Sequence, residues 1–354
     1  MRMILPHTRE DAQNMAEYCP PRVPPTIDIH CHVIPEEFWD ASDSGNSWFG
    51  ASLVHRDEYC YIDTDARFAG PVEANWRLSV DDRVSLMDSI GLDVQIVSPP
   101  PYFFNYHLPA EEGKQSARII NEGLLKMVFQ KPDRFSAFAT LPFQNVDYAV
   151  QELEWAMASG MKGAELCTHV NGMNYDDESL WPLFEAAEDL GAFLFFHPHN
   201  PAGKERMTNY YTANTIGNPL ENLIAISSII SGGVLDKFPG LDLCFSHGGG
   251  YASFGAPRID RGYKVRQEAG LNLSRIPSDY LGSLYYDCLT HGHEELAFLI
   301  SRVGSDRIML GSDFPFDMGL DSPVDWVHSS SLISQTDKDL ISGGNANRVL
   351  NLGF

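Results

Sequence analysis

Eight short runs of apolar and β-branched residues recur along this chain, each followed by a segment of helical periodicity. The strand candidates are 26–30, 93–98, 134–141, 162–167, 192–197, 241–247, 284–288 and 307–312. Helical patterns lie near 80–90, 110–131, 146–159, 178–190, 219–231, 251–268, 292–303 and 336–350. The segment from Val146 to Leu153 shows the principle: apolar residues return every three or four positions, and Asn145 is placed to cap the helix. An eightfold strand–helix alternation fits a parallel (β/α)8 TIM barrel. A doubly wound open sheet is the rival architecture. The 354 residues allow one barrel-type domain or two smaller ones.

Two stretches depart from the alternation. Residues 1–25 are polar and end in Cys19-Pro20-Pro21-Arg22-Val23-Pro24-Pro25, a proline density that reads as an extended N-terminal arm. The barrel domain is accordingly expected over 26–354. Residues 36–79 carry Trp39, Trp48, Phe49, Tyr59, Tyr61, Phe68 and Trp76 among turn residues. A long insertion after the first strand of a barrel lies at the catalytic mouth, so this segment is expected to form a lid or small cap. The alternative is a surface excursion with its own minor cluster.

A formal net charge of −23 disfavours nucleic acid and anionic membrane as partners. The six cysteines form no Cys-x-x-Cys pair and several sit in apolar runs, as buried free thiols in a reducing compartment do. The apolar run at the N-terminus is too short for a signal peptide, and nothing approaches a membrane span. A cytoplasmic protein is the expectation.

The chemistry gathers at the strand ends. The first run closes on His30-Cys31-His32. Residues i and i+2 of a strand share a face, so both imidazoles can address one ion. The fifth run ends at His197, the sixth at His247, and Asp313 follows the eighth. Active sites of such barrels lie at this rim. His30, His32 and His197 offer neutral nitrogens that suit zinc and similar ions, and Asp313 adds an anionic oxygen. His247, from the neighbouring strand, is expected to move a proton as acid or base, with a ligand role to a second ion as the competing assignment. The fourth run has its lysine, Lys162, at the start rather than the end, which favours a single ion over a lysine-bridged pair. His199 and His169 are candidate pocket residues. His291 and His293 form another His-x-His at an expected helix start and rank low as ligands. His247-Gly248-Gly249-Gly250 looks like an oxyanion loop, but the chain has no Gly-x-Ser-x-Gly elbow to go with it. The glycines fit better as a close approach of backbone to the pocket.

Taken together, these motifs resemble the amidohydrolase superfamily and, within it, the aminocarboxymuconate-semialdehyde decarboxylase group. The resemblance runs from about residue 26 to the end and rests on six segments: Ile27 to His32, Gly163 to Asn171, Phe196-His197-Pro198, Gly232 to Pro239, Phe245 to Gly250, and Met309 to Phe316. It implies one divalent ion held by His30, His32, His197 and Asp313, with zinc preferred and manganese the alternative, no organic cofactor, and His247 as the acid/base. It further implies a homodimer in which Arg258 reaches the partner's pocket, Arg266 matching a second arginine of that segment. The chain departs from the group in the lid, where the arginine for a substrate carboxylate has only Arg67 and Arg77 as candidates. It departs again at His199, where the group's enzyme usually has tryptophan.

The expected function is that of a metal-dependent, non-oxidative decarboxylase (a carbon–carbon lyase) acting on a small unsaturated or aromatic carboxylic acid. Asp313 joins His247 as a candidate proton carrier. A hydrolase or hydratase with the same ligands is the alternative, and a metal-stabilised binding protein the non-enzymatic rival.

Overall fold

The computed structural model describes residues 25–353 apart from 65 and 66, with the backbone alone for 67–69. The N-terminal arm therefore lies outside the described residues except for Pro25, and so does Cys19.

Strand β1 (Ile27–His32) is buried along its whole length. The chain then leaves the barrel for helix α1 (Glu36–Asp43) and an antiparallel sheet of β2 (Ser52–Arg56), β3 (Tyr59–Thr64) and β4 (Arg67–Ala69). The remaining strands are β5 (Val94–Ser98), β6 (Phe135–Ala137), β7 (Gly163–Cys167), β8 (Phe193–His197), β9 (Asp242–Phe245), β10 (Tyr285–Asp287) and β11 (Ile308–Met309). Between them run α2 (Val80–Ser89), α3 (Ala110–Gln130), α4 (Val146–Ala158), α5 (Trp181–Leu190), α6 (Asn218–Gly232), α7 (Ala252–Val265) and α8 (His293–Val303). Local chemistry sets several of these boundaries. Asn145 Oδ1 caps α4 by accepting from the amides of Asp147 and Tyr148 at 2.9 and 3.2 Å. Gly191, in the left-handed conformation, ends α5.

Parallel pairing links β1, β5 and β6 in one sheet and β7 to β11 in another. Two sets of contacts turn these sheets into one ring. The amide of Ala139 donates to Gly163 O at 2.9 Å and that of Glu165 to Ala139 O at 2.8 Å, joining β6 to β7. On the other side the amide of Ile29 donates to Leu310 O at 2.9 Å, and that of His32 to Phe314 O at 2.7 Å. An open doubly wound sheet has two free edges; here the first and last strands pair, so the architecture is the (β/α)8 barrel.

Three elements differ from expectation for identifiable reasons. The sixth strand stops at Phe245 because His247 and the three glycines after it all take positive φ. The eighth stops at Met309, and the chain bends so that the amides of Ser312 and Asp313 both reach His30 O. The helix expected near 336–350 is broken at Leu340–Gly344, where Ile341 O accepts from the amide of Leu310 instead of continuing a helix. Within residues 36–79, Phe38, Trp39, Trp48 and Trp76 are buried in the same cluster as the barrel's Phe103 and Tyr102. The segment thus shares the main core rather than forming a separate one.

Candidate metal centre

His30 and His32 close β1, His197 closes β8, and Asp313 follows β11. One ligand atom from each lies within 4.8 Å of the others, and all four residues are buried. Their hydrogen bonds decide which atoms face inward. His30 Nδ1 donates to Asp287 Oδ2 at 2.6 Å, His32 Nδ1 to Pro99 O at 3.3 Å, and His197 Nδ1 to Pro198 O at 2.9 Å. Each of these acceptors lacks a proton to give, so each Nδ1 carries a hydrogen and each Nε2 is the atom left for an ion; in the ion-free centre His32 Nε2 instead bonds Asp313 Oδ1. The three Nε2 atoms stand 3.1, 3.1 and 3.8 Å from Asp313 Oδ1. Nε2 of His30 and of His197 lacks any hydrogen-bond partner. Without an ion, protons on the imidazoles hold these buried atoms around the Asp313 carboxylate, and a cation bound there would take their place. The donor set (three imidazoles and one carboxylate) is that of a zinc-type ion with room for a further ligand.

Two close approaches build this centre. A Cβ on Gly311 would meet Asp287 Cβ at 2.8 Å and His30 Cβ at 2.9 Å, so only glycine lets the end of β11 lie against β1. A Cβ on Gly250 would lie 2.1 Å from Pro219 O, where α6 crosses the loop after β9. That loop presents His247. His247 Nε2 stands 3.4 Å from Asp313 Oδ2, its Nδ1 lies 3.1 Å from Ser246 Oγ, and it is not one of the four converging ligands. His247 and Asp313 hold φ of 54° and 60°, a conformation that costs non-glycine residues energy.

Burial opposes charge on His30, but Asp313 and Asp287 outweigh it and hold its pKa well above the ordinary histidine value. Burial pushes His32 down and His197 well down. Asp313 is held well below the usual carboxylate range, because His30, His197 and His247 overcome the effect of its burial. Glu165, in the middle of β7, is fully buried, and burial raises it to about 8. Neither of its carboxyl oxygens has a hydrogen-bond partner in good geometry; His32 Nδ1 is 4.0 Å away, and Ser98 Oγ, which counters the rise, donates to Cys31 O at 3.3 Å.

Two cavities meet at Asp313. One of about 470 Å³ is lined by His247, Tyr251, Phe254, Leu289, His291 and Met318 among others. The other, about 130 Å³, is walled by Trp76, Tyr102, Phe316 and His197. No arginine or lysine among the described residues lines either cavity. Arg77 instead pairs with Asp43, lies over the Trp39 ring and lines a separate cavity beside α1. The side chain of Arg67 lies outside the described residues. His169 and His199 line a pocket of about 60 Å³ between the loops after β7 and β8. His169 Nδ1 there accepts from the amide of Gly172, and its Nε2 bonds Asn200 O at 3.2 Å. Arg258 is exposed on α7, whose first turns help wall the larger cavity, and Arg266 follows that helix. His293 bonds Trp326 O at 3.0 Å.

Sequence reasoning missed Asp287. It orients His30 and, through Oδ1, accepts from the amides of Gly248 at 2.9 Å and Leu289 at 3.1 Å. The glycine loop's amide thus faces an anion, and that anion is a protein carboxylate. The available signal was an aspartate inside the apolar seventh run, one residue before its end. Glu165 was missed likewise, as a glutamate in the middle of an otherwise apolar strand.

The ring of strands and the ligand-bearing rim define a metal-dependent barrel enzyme class. The profile of the family described as amidohydrolase matches residues 27–352, and the chain belongs to that family. Among its relatives, a 2-amino-3-carboxymuconate-6-semialdehyde decarboxylase of Dictyostelium discoideum is 33% identical over 333 residues, which cover 92% of this chain and 91% of that protein. A gamma-resorcylate decarboxylase of Polaromonas sp. is 28% identical, covering 77% of this chain and 87% of its own length. Among solved structures, the apo IDCase of Metarhizium anisopliae superposes with a TM-score of 0.80 at 23% identity, covering 94% of this chain and 98% of that one. The 5-carboxyvanillate decarboxylase of Sphingomonas paucimobilis gives 0.78 at 24% identity, with 92% and 99% covered. These structures share the fold.

Proposed function

We propose that this protein is a metal-dependent, non-oxidative decarboxylase of a small unsaturated or aromatic carboxylic acid, and that residues 26–354 form its catalytic domain. One observation carries the reading: His247 stands beside the ligand cluster without joining it and faces the cavity that ends at Asp313. A bound divalent ion, zinc in our reading with manganese the alternative, would polarise an oxygen of the substrate. The structure of a dihydroxybenzoic acid decarboxylase from Polaromonas, a protein of the same fold, holds manganese.

The protein's own groups supply the rest. Trp76, Tyr102 and Phe316 offer flat apolar walls for a conjugated system. His247, 3.4 Å from Asp313 Oδ2, can pass a proton to the carbon that bears the carboxylate. That carbon becomes tetrahedral, the bond to the carboxylate breaks, and its electron pair returns to the conjugated system as CO2 leaves. The substrate acts as its own electron sink, so no organic cofactor is needed.

A carboxylate entering these cavities meets no lysine or arginine of the described chain. This supports a homodimer in which Arg258 of the partner subunit supplies the cation. Arg258→Ala should raise KM or abolish turnover, and an unaltered enzyme excludes the shared pocket. The described cysteines, Cys31, Cys60, Cys167, Cys244 and Cys288, are free, and no helix of the described residues is long and apolar enough to cross a membrane. Both fit placement in the reducing cytoplasm. The deciding experiment is a screen of carboxylated muconates and hydroxybenzoates for CO2 release. Product that has gained water with no CO2 evolved would move the assignment to a hydratase or hydrolase.

A further inference from the structure

Beneath the ligand cluster lies a buried polar chain that the reaction does not use. Asp28, on β1, is wholly buried and accepts four hydrogen bonds. Its Oδ1 takes the amides of His30 at 3.1 Å and Ser312 at 3.0 Å. Its Oδ2 takes Ser312 Oγ at 2.6 Å and Gln95 Nε2 at 3.1 Å. Burial raises its pKa, and the hydrogen bonds from Ser312 and His30 oppose that rise.

The Gln95 amide continues the chain. Its Oε1 accepts from Arg83 Nε at 2.8 Å, so one side chain joins a buried carboxylate to a buried guanidinium. Arg83 is 5% exposed, its Nη1 donates to His32 O at 2.9 Å, and its guanidinium lies 5.0 Å from the centre of the Phe314 ring. The network therefore grips the backbone at His30, His32 and Ser312 and touches Phe314. These are two ligands and the two neighbours of a third. The register of β1 on β5 slips between Asp28 and Cys31, so regular pairing alone does not aim His30 and His32. A buried charge pair is a poor source of stability, since desolvation offsets its attraction. Its geometric consequence is specific.

We propose that Asp28 is a positioning residue: through Ser312 and through Gln95 and Arg83 it sets the spacing of His30 and His32 against Asp313. The inference rests on the metal centre and not on the identity of the substrate. Outer groups that orient metal ligands typically change ion affinity by about 10–100-fold when altered.

The test uses Co²⁺, whose visible bands report coordination geometry, titrated into ion-free wild-type protein and Asp28→Asn. Asparagine keeps the size but presents an amide hydrogen where Oδ2 accepts. The expected result is a cooperative ion-free melt, Co²⁺ binding about 10–100-fold weaker and altered bands. A lowered Tm with wild-type Co²⁺ affinity and bands would make Asp28 merely structural and overturn the proposal. If Asp28→Asn does not fold, Ser312→Ala removes one of the four bonds and should weaken Co²⁺ binding by a smaller factor; unchanged binding overturns the proposal equally. Wild-type protein that takes up no Co²⁺ overturns the metal centre and this inference with it. Uptake by wild type with unaffected variants overturns this inference alone.

Discussion

Replacing Asp287 by asparagine isolates the tautomer of one ligand. Asp287 Oδ2 holds the Nδ1 hydrogen of His30 at 2.6 Å, while Oδ1 accepts from the amides of Gly248 and Leu289. Asparagine can keep its oxygen on those two amides, so the loop that carries His247 stays in place. Its NH2 then faces His30 Nδ1, which must give up its hydrogen and become an acceptor. The hydrogen moves to Nε2, the atom that points at Asp313 Oδ1 from 3.1 Å. A protonated Nε2 cannot bind an ion. The ten- to hundredfold loss typical of such partners corresponds to about 1.4–2.7 kcal/mol of ion affinity. Asp287→Ala differs in kind: it strands the amides of Gly248 and Leu289, at about 1–3 kcal/mol each, so its ion-free form should melt lower than that of Asp287→Asn. Competition against a chelator measures the affinity, and calorimetry of ion-free protein measures the stability. Asp287→Asn with wild-type ion affinity would refute the assignment of Nε2 as the ligand atom of His30.

His247→Ala should retain about one ion per chain by elemental analysis and lose turnover by about 10²–10⁴-fold; loss of the ion would make His247 a ligand. Ion uptake at neutral pH should release protons into a weakly buffered indicator solution, because the ion-free centre keeps His30 protonated above its ordinary range. Apparent affinity should accordingly rise with pH, and uptake without proton release contradicts this. Glu165 shows the opposite linkage to an ion-paired carboxylate. With its pKa raised from 4.5 to about 8, its share of ion-free stability is fully present below the unfolded value and falls as pH rises toward 8. Urea unfolding of Glu165→Gln and wild type should therefore diverge in favour of the variant from pH 5 to pH 8, and curves that stay parallel would exclude the shift.

Much of the site was legible because its pieces are local. A histidine at the end of an apolar strand declares its position through the alternation of side chains, as His30, His32 and His197 do. The barrel follows from repetition of one pattern and needs no knowledge of which strands touch. The lid arginines were not legible in the same way. Arg77 sits in a short turn, and its partner Asp43 lies 34 positions earlier, so no spacing rule connects them. The helix near 336–350 reads as continuous in sequence because the carbonyl that breaks it is taken by Leu310, a residue of another element.

By itself the sequence determined the order of strands and helices, the rim on which the chemistry falls, and the four residues offered to an ion. These follow from periods of two and of three to four residues, which any chain segment expresses alone. Tertiary structure decided everything that joins distant segments. It closed the ring by setting β1 against β11, paired His30 with Asp287 across 257 positions, and bound Asp28 to Ser312 across 284. It also walled the two cavities without a single described arginine or lysine and left Arg258 facing outward. The physical reason is that a ligand's tautomer, a carboxyl's charge and a cavity's shape depend on what packs against them, and that neighbour is chosen only when the barrel closes.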